Sequence, residues 1–129
     1  MKFSYQLFRD SYYPIIPIKI IANGEEVNTS AIVDSGASIS IFSGSVARQI
    51  GISMESGEKR IFQGASAKLI GYIHNVTMHV AGKSFECKVA FSDELNTSFN
   101  LLGREGFFDE FLINFNEKQR ELLIEDIQK

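Results

Sequence analysis

Ala31-Ile32-Val33-Asp34-Ser35-Gly36-Ala37-Ser38-Ile39-Ser40-Ile41-Phe42 sets one carboxylate in a tight turn between two apolar segments. Small and β-favouring residues lead into the turn, and Ile39 and Ile41 alternate with Ser38 and Ser40 beyond it, so the stretch reads as strand, turn, strand. Asp, Ser and Gly are the commonest turn formers, and Gly36 permits backbone angles that other residues resist. A carboxylate beside a low-dielectric core needs hydrogen-bond donors to converge on it, and the Ser35 hydroxyl and Gly36 N–H are the nearest available. Asp34 is the candidate working residue. The tripeptide does not suffice alone, since average usage gives an Asp-Ser/Thr-Gly by chance in about one chain in twenty of this length.

Upstream, Ile15 to Ile21 reads as a strand, with Pro17 requiring an edge or irregular position. Asn23-Gly24 is a strong hairpin signal, and Glu25 to Val33 is the return strand that delivers the chain to Asp34. Downstream, Ser43 to Ile50 is a short helix that Gly51 ends. Arg60-Ile61-Phe62-Gln63 and Lys68-Leu69-Ile70-Gly71-Tyr72-Ile73 flank four small residues, Gly64-Ala65-Ser66-Ala67, and form a hairpin. Base rates alone make it an ordinary surface hairpin.

Strand alternation then places Tyr72, His74, Val76, Met78 and Val80 on one face and Ile73, Asn75, Thr77 and His79 on the other. The two histidines point oppositely, whereas metal ligands must converge, so no metal or other cofactor is expected. Ala81-Gly82-Lys83 turns into a strand with Phe85, Cys87, Val89 and Phe91 on one face, where Cys87 is a small core residue. Ser92 to Phe99 is polar and turn-rich and reads as a connection.

A second stretch near the C-terminus gives Asp34 its context. Phe99-Asn100-Leu101-Leu102-Gly103-Arg104 precedes Glu105-Gly106 and the run Phe107, Phe108, Phe111 and Leu112, whose helical spacing predicts a short helix with one buried face. Asp-Ser-Gly-Ala-Ser after an apolar run, then Leu-Leu-Gly-Arg, resembles the retropepsin-like aspartic proteases, the single-domain family that includes the retroviral enzymes. Order and separation of the two motifs match, and the resemblance covers about residues 14 to 125.

The resemblance implies an all-β fold: a closed acid-protease-type barrel with one or two short helices, one lobe per chain. It implies an aspartic endopeptidase that hydrolyses polypeptide as a homodimer. Residue by residue, it makes Asp34 catalytic, Ser35 the hydroxyl that locks two active-site loops together, and Gly36 a backbone contact to substrate beside Ala37 and Ser38. Gly64 and Ala65 would belong to a mobile flap over the substrate, although this tip has one glycine where many relatives carry several. Gly103 and Arg104 match the motif whose helix supports the active-site strand. In retroviral relatives the arginine pairs with an acidic residue two after the glycine, which here is Ser38, so Glu105 and Asp109 become its alternative partners. A catalytically silent peptide-binding or dimerisation module is the competing reading, and a small barrel with Asp34 as a mere turn residue is a third.

The chemistry sets the stoichiometry. Hydrolysis without metal or covalent intermediate needs one group to deprotonate water and another to protonate the amide, and two carboxylates sharing a proton do both. The remaining aspartates, Asp10, Asp93, Asp109 and Asp126, lie in no second Asp-Ser/Thr-Gly, so one chain supplies half a site. The length of 129 residues is one domain, too short for the two lobes of a pepsin-like enzyme.

A net charge of −3 leaves no basic stripe for nucleic acid, and no apolar run is long enough to span a membrane or resembles a signal peptide. A single cysteine forbids an internal disulfide and agrees with a reducing, cytoplasmic location. Two segments stay open. Residues 1–13 carry Phe3, Tyr5, Leu7, Phe8, Tyr12 and Tyr13, an arm that either crosses a partner or packs on its own barrel, ahead of a domain spanning 14–129. Leu112 to Phe115 is a strand, whereas the tail Glu117 to Glu125 is rich in helix formers; the resemblance favours a terminal hairpin strand there.

Overall fold

The computed structural model describes residues 1–63, 68–95 and 99–127. Its elements are β1 (Lys2–Ser4), β2 (Gln6–Phe8), β3 (Ser11–Tyr13), β4 (Ile15–Ala22), β5 (Glu25–Val33), β6 (Ile41–Ser43), α1 (Gly44–Gln49), β7 (Glu58–Gln63), β8 (Lys68–Val80), β9 (Lys83–Ser92), β10 (Asn100–Leu102), β11 (Phe111–Asn116) and β12 (Glu121–Asp126). Short 3-10 turns lie at Met54–Ser56 and Phe108–Glu110. The fold is all-β, as the sequence predicts.

Seven strands form the main sheet in the order β4-β5-β10-β6-β9-β8-β7, and a further β4–β8 pairing bends it back on itself. That pairing spans Lys19 to Ile21 of β4, leaving Pro17 on the stretch with a strand on one side only, where a missing N–H costs no ladder bond. Asn23 and Gly24 both have positive φ, 54° and 76°, the backbone that a two-residue hairpin between β4 and β5 demands. Inside lie Ile16, Ile18, Ile20, Val33, Phe42, Met78, Val89, Phe91 and Leu102. Each such side chain contributes about 1.5–3 kcal/mol on burial, so the alternation in β4 and β8 gives the sheet one strongly buried face.

α1 sits where the sequence places a helix, and Gly51, at φ 74°, ends it. The helix predicted after Gly103 is not there. Phe107 and Phe111 are buried, but only a single 3-10 turn separates them, and β11 begins at Phe111 and turns Leu112 outward with 65% exposure. Pairing of β11 with β12 over six residues overrides the helical spacing, and also the helix-forming composition of the tail, which is a strand as the resemblance favours.

The N-terminal residues pack on their own chain. β1 pairs antiparallel with β12, giving a second sheet β1-β12-β11. Tyr5 is buried, its N–H donates to the Arg120 carbonyl, and its hydroxyl donates to Glu117. β2 and β3 form a hairpin whose Phe8 ring meets Phe99 edge-on at 4.8 Å, leaving Leu7 and Tyr12 exposed. Lys83 joins both sheets: its ammonium lies 2.9 Å from Glu110 and from Asp126. Among the described residues, no helix is long and apolar enough to cross a membrane.

Candidate active site

β10 lies between β5 and β6, parallel to β5 and antiparallel to β6. The chain leaves β5 at Val33, passes over the end of β10 through residues 34–40, and returns as β6 on its far side. β10 therefore runs between the two legs of the Asp34 loop, and its last residues bond to both. The Asp34 N–H donates to the Leu102 carbonyl at 2.9 Å. Gly103 N–H donates to the Ser40 hydroxyl at 3.0 Å, Arg104 N–H to the Ala37 carbonyl at 2.9 Å, and Glu105 N–H to the Ser38 carbonyl at 3.0 Å. Ser40 N–H returns a bond to the Glu105 carbonyl. Such close passage leaves no room beside Gly103, where a Cβ would fall 2.5 Å from the Ile39 carbonyl carbon and oxygen.

Inside the loop, Ala37 N–H donates to the Asp34 carbonyl at 3.1 Å, closing a β-turn, and Gly36 N–H donates to Asp34 Oδ1 at 2.9 Å. The aspartate side chain thus shapes its own turn and is oriented by it. Of the two donors expected on Asp34, the Gly36 amide is in place; the Ser35 hydroxyl has no hydrogen-bond partner among the described residues. Asp34 and Ala37 are half-buried, while Ser35, Gly36 and Ser38 are exposed on the same rim. The alternation beyond the turn is only half realised, because Ser40 is as buried as Ile39 and Ile41. Its hydroxyl tethers Gly103, a role invisible in a serine that looks like the polar partner of a strand.

β7 and β8 form the expected hairpin, with cross-strand partners running from Glu58 and Ile73 to Gln63 and Lys68. The tip residues 64–67, including Gly64 and Ala65, lie outside the described residues. At its root, Phe62 and Leu69 pack with Leu95 on a small apolar cluster of Ile39, Ile41, Ile73 and Ala90. The cluster includes Ile39 from the Asp34 loop, so the hairpin rises beside that loop. Arg104 is exposed and makes no ion pair with Glu105, Asp109 or any other described residue. Asp109 instead accepts a long bond from Gly106 N–H at 3.5 Å.

His74 and His79 face opposite ways, as the alternation requires. One nitrogen of His74 is 2.7 Å from the Met54 carbonyl, and His79 Nδ1 is 2.7 Å from the Ser84 hydroxyl. Burial, helped by the carboxylates of Asp109, Glu110 and Glu105, pushes the Cys87 thiol up to about 12. It is a packed thiol rather than a nucleophile.

Residues 16–105 match the family model for aspartyl protease. Among solved structures, the chain is similar to the EIAV protease complexed with the inhibitor HBY-793, with a TM-score of 0.56 and 17% identity, covering 77% of this chain and 88% of that one. No curated protein sequence matches the chain. Its single lobe has the fold of the retropepsin-like, retroviral-type proteases. The chain belongs to the aspartyl protease family.

Proposed function

We propose that this chain is an aspartic endopeptidase that works as a homodimer, with Asp34 of each protomer forming one half of the catalytic pair. The observation that carries the reading is the setting of Asp34: a half-buried carboxylate at a rim, fixed from below by the Leu102 carbonyl through its amide and from the side by Gly36 through Oδ1. A second acid has to come from a second chain, brought by a two-fold axis beside the turn.

Two carboxylates held close share one proton, so the ionised one takes a proton from water as the water adds to the peptide carbonyl. The protonated one polarises that carbonyl and then hands a proton to the leaving nitrogen. Neither step needs the protein to move a charge far, because both oxygens lie on the same rim. Ser35, exposed and without a hydrogen-bond partner among the described residues, would bond to the partner's loop. The backbone at Gly36, Ala37 and Ser38 offers main-chain groups to an extended substrate. Residues 1–13 act as an arm on the domain of residues 14–129. β1 pairs with β12 of its own chain, and we place the subunit contacts at the active-site rim and at the exposed Leu7 and Tyr12 of the β2–β3 hairpin.

The test is cleavage of an unstructured protein between about pH 4 and 7, where a shared-proton pair is partly ionised. Wild type should cleave and Asp34→Asn should not. Equal cleavage by both excludes the assignment. Peptide binding by both proteins with cleavage by neither favours the silent module.

A further inference from the structure

The β8–β9 ladder ends at Tyr72 opposite Phe91, yet β8 continues outward into the flap hairpin. Two residues beyond the last pair, Ile70 is opposite Ile61 of β7 on one side and has no strand on the other. Its backbone groups on that open side are nevertheless satisfied. The Ile70 N–H donates to Glu94 Oε1 at 3.0 Å, and its carbonyl accepts from the Ser92 hydroxyl at 2.5 Å. The Glu94 N–H donates to the same hydroxyl at 3.0 Å, which closes the ring. Two side chains here do what a strand would have done.

The residues around this ring are themselves anchored. Ser92 is 1% exposed. Asp93, between the two, is held by Arg48 of α1 through bonds of 3.0 and 3.3 Å. Leu95 packs on the apolar cluster of Ile39, Ile41, Ile73 and Ala90, which Phe62 and Leu69, one from each strand of the hairpin, also cover. The other end of the same connection enters β10, whose Leu102 carbonyl takes the Asp34 N–H. One short segment thus bonds the root of the hairpin through Ser92 and Glu94, and its Leu95 shares an apolar cluster with both hairpin strands.

Resting on the protease reading above, we infer that Ser92–Leu95 is a clamp that sets how the β7–β8 hairpin leaves the barrel over Asp34, and that Glu94 is a positioning residue for cleavage. A carboxylate accepting a backbone N–H makes a charge-assisted bond, but this one is exposed to water and correspondingly easy to break. An element that must open for substrate and close on it is drawn from the weakly held parts of a fold. Ser92, buried, supplies the fixed point, and Glu94, exposed, the releasable one.

The test compares wild type, Glu94→Ala and Glu94→Gln by amide hydrogen exchange and by cleavage kinetics. Losing one such bond should speed exchange at Ile70 and the neighbouring hairpin amides about five-fold. Amides of the β4–β5 ladder should stay unchanged. Gln retains a carbonyl acceptor, so its exchange should return most of the way to wild type. Glu94→Ala should raise KM about three-fold or more with kcat within a factor of about two, because hairpin closure contributes to holding substrate. Unchanged exchange at Ile70 in Glu94→Ala overturns the clamp. Faster exchange with unaltered KM and kcat overturns the positioning role. Should wild type fail to cleave at all, the protease reading and the positioning role fall together, while exchange still decides the clamp.

Discussion

A methyl group on Gly103 would lie 2.5 Å from the carbonyl of Ile39, a separation that real Cβ atoms do not tolerate. The glycine is needed for space alone, since its backbone is not among those with positive φ. The Asp34 amide is fixed at this crossing, where β10 runs between the legs of the loop. Gly103→Ala must push those legs apart, and overpacking of this kind costs about 2 kcal/mol or more. Urea unfolding should show that loss, and with it a loss of any Asp34-dependent cleavage.

Asn100 ties the same three strands together from the other end of β10. Its side-chain oxygen accepts from Ser43 N–H at 2.9 Å, while its amide donates to the Thr29 hydroxyl at 3.1 Å and the Ser30 carbonyl at 3.0 Å. It is 8% exposed, so water can replace little of this. Asn100→Ala should lower unfolding free energy by about 2–3 kcal/mol, and Asn100→Asp should be no better, because the Ser30 carbonyl then faces a group unable to donate.

Tyr5 reports on docking of the N-terminal strand. Burial first, and then the Glu117 carboxylate that accepts its hydroxyl, push the phenol from 10.0 up to about 12. The folded state therefore favours the protonated form. Its contribution is complete below about pH 10 and is lost as pH rises through about 12, so stability should fall across that window. Absorbance at 295 nm should contain one late-titrating tyrosine that disappears in Tyr5→Phe, whose stability should fall less steeply there.

Cys87 should resist thiol reagents in the folded protein at pH 8, since burial keeps the thiol protonated up to about 12. The comparison is its rate of modification with and without denaturant. Rapid labelling of the native protein would mean that β9 opens around it.

The Asp34 turn, the β4–β5 hairpin and α1 were legible because each is specified by neighbours in sequence: Asp-Ser-Gly, Asn23-Gly24, and a helix ended by Gly51. Long-range pairings were not. Nothing local says that Lys2–Ser4 will lie against Leu123–Glu121, so the arm's destination stayed open. The run from Phe107 to Leu112 fits a helix by spacing and becomes a turn and a strand because β12 supplies a partner. Ser40 and Ser92 look like surface serines, and Glu94 like part of a connection. Their value comes from what crosses them, an end of β10 in one case and the open side of β8 at Ile70 in the others.

The central claim is that two Asp34 carboxylates, one from each chain, make one site. Subunit mixing tests it most directly: a fixed amount of wild type is allowed to exchange with Asp34→Asn protein, and cleavage is measured afterwards. If both acids are needed, an equal amount of variant should lower activity to about half and a nine-fold excess to about one tenth, because wild-type chains are drawn into mixed dimers. Activity that stays constant through the titration, with exchange verified by mass, would contradict it.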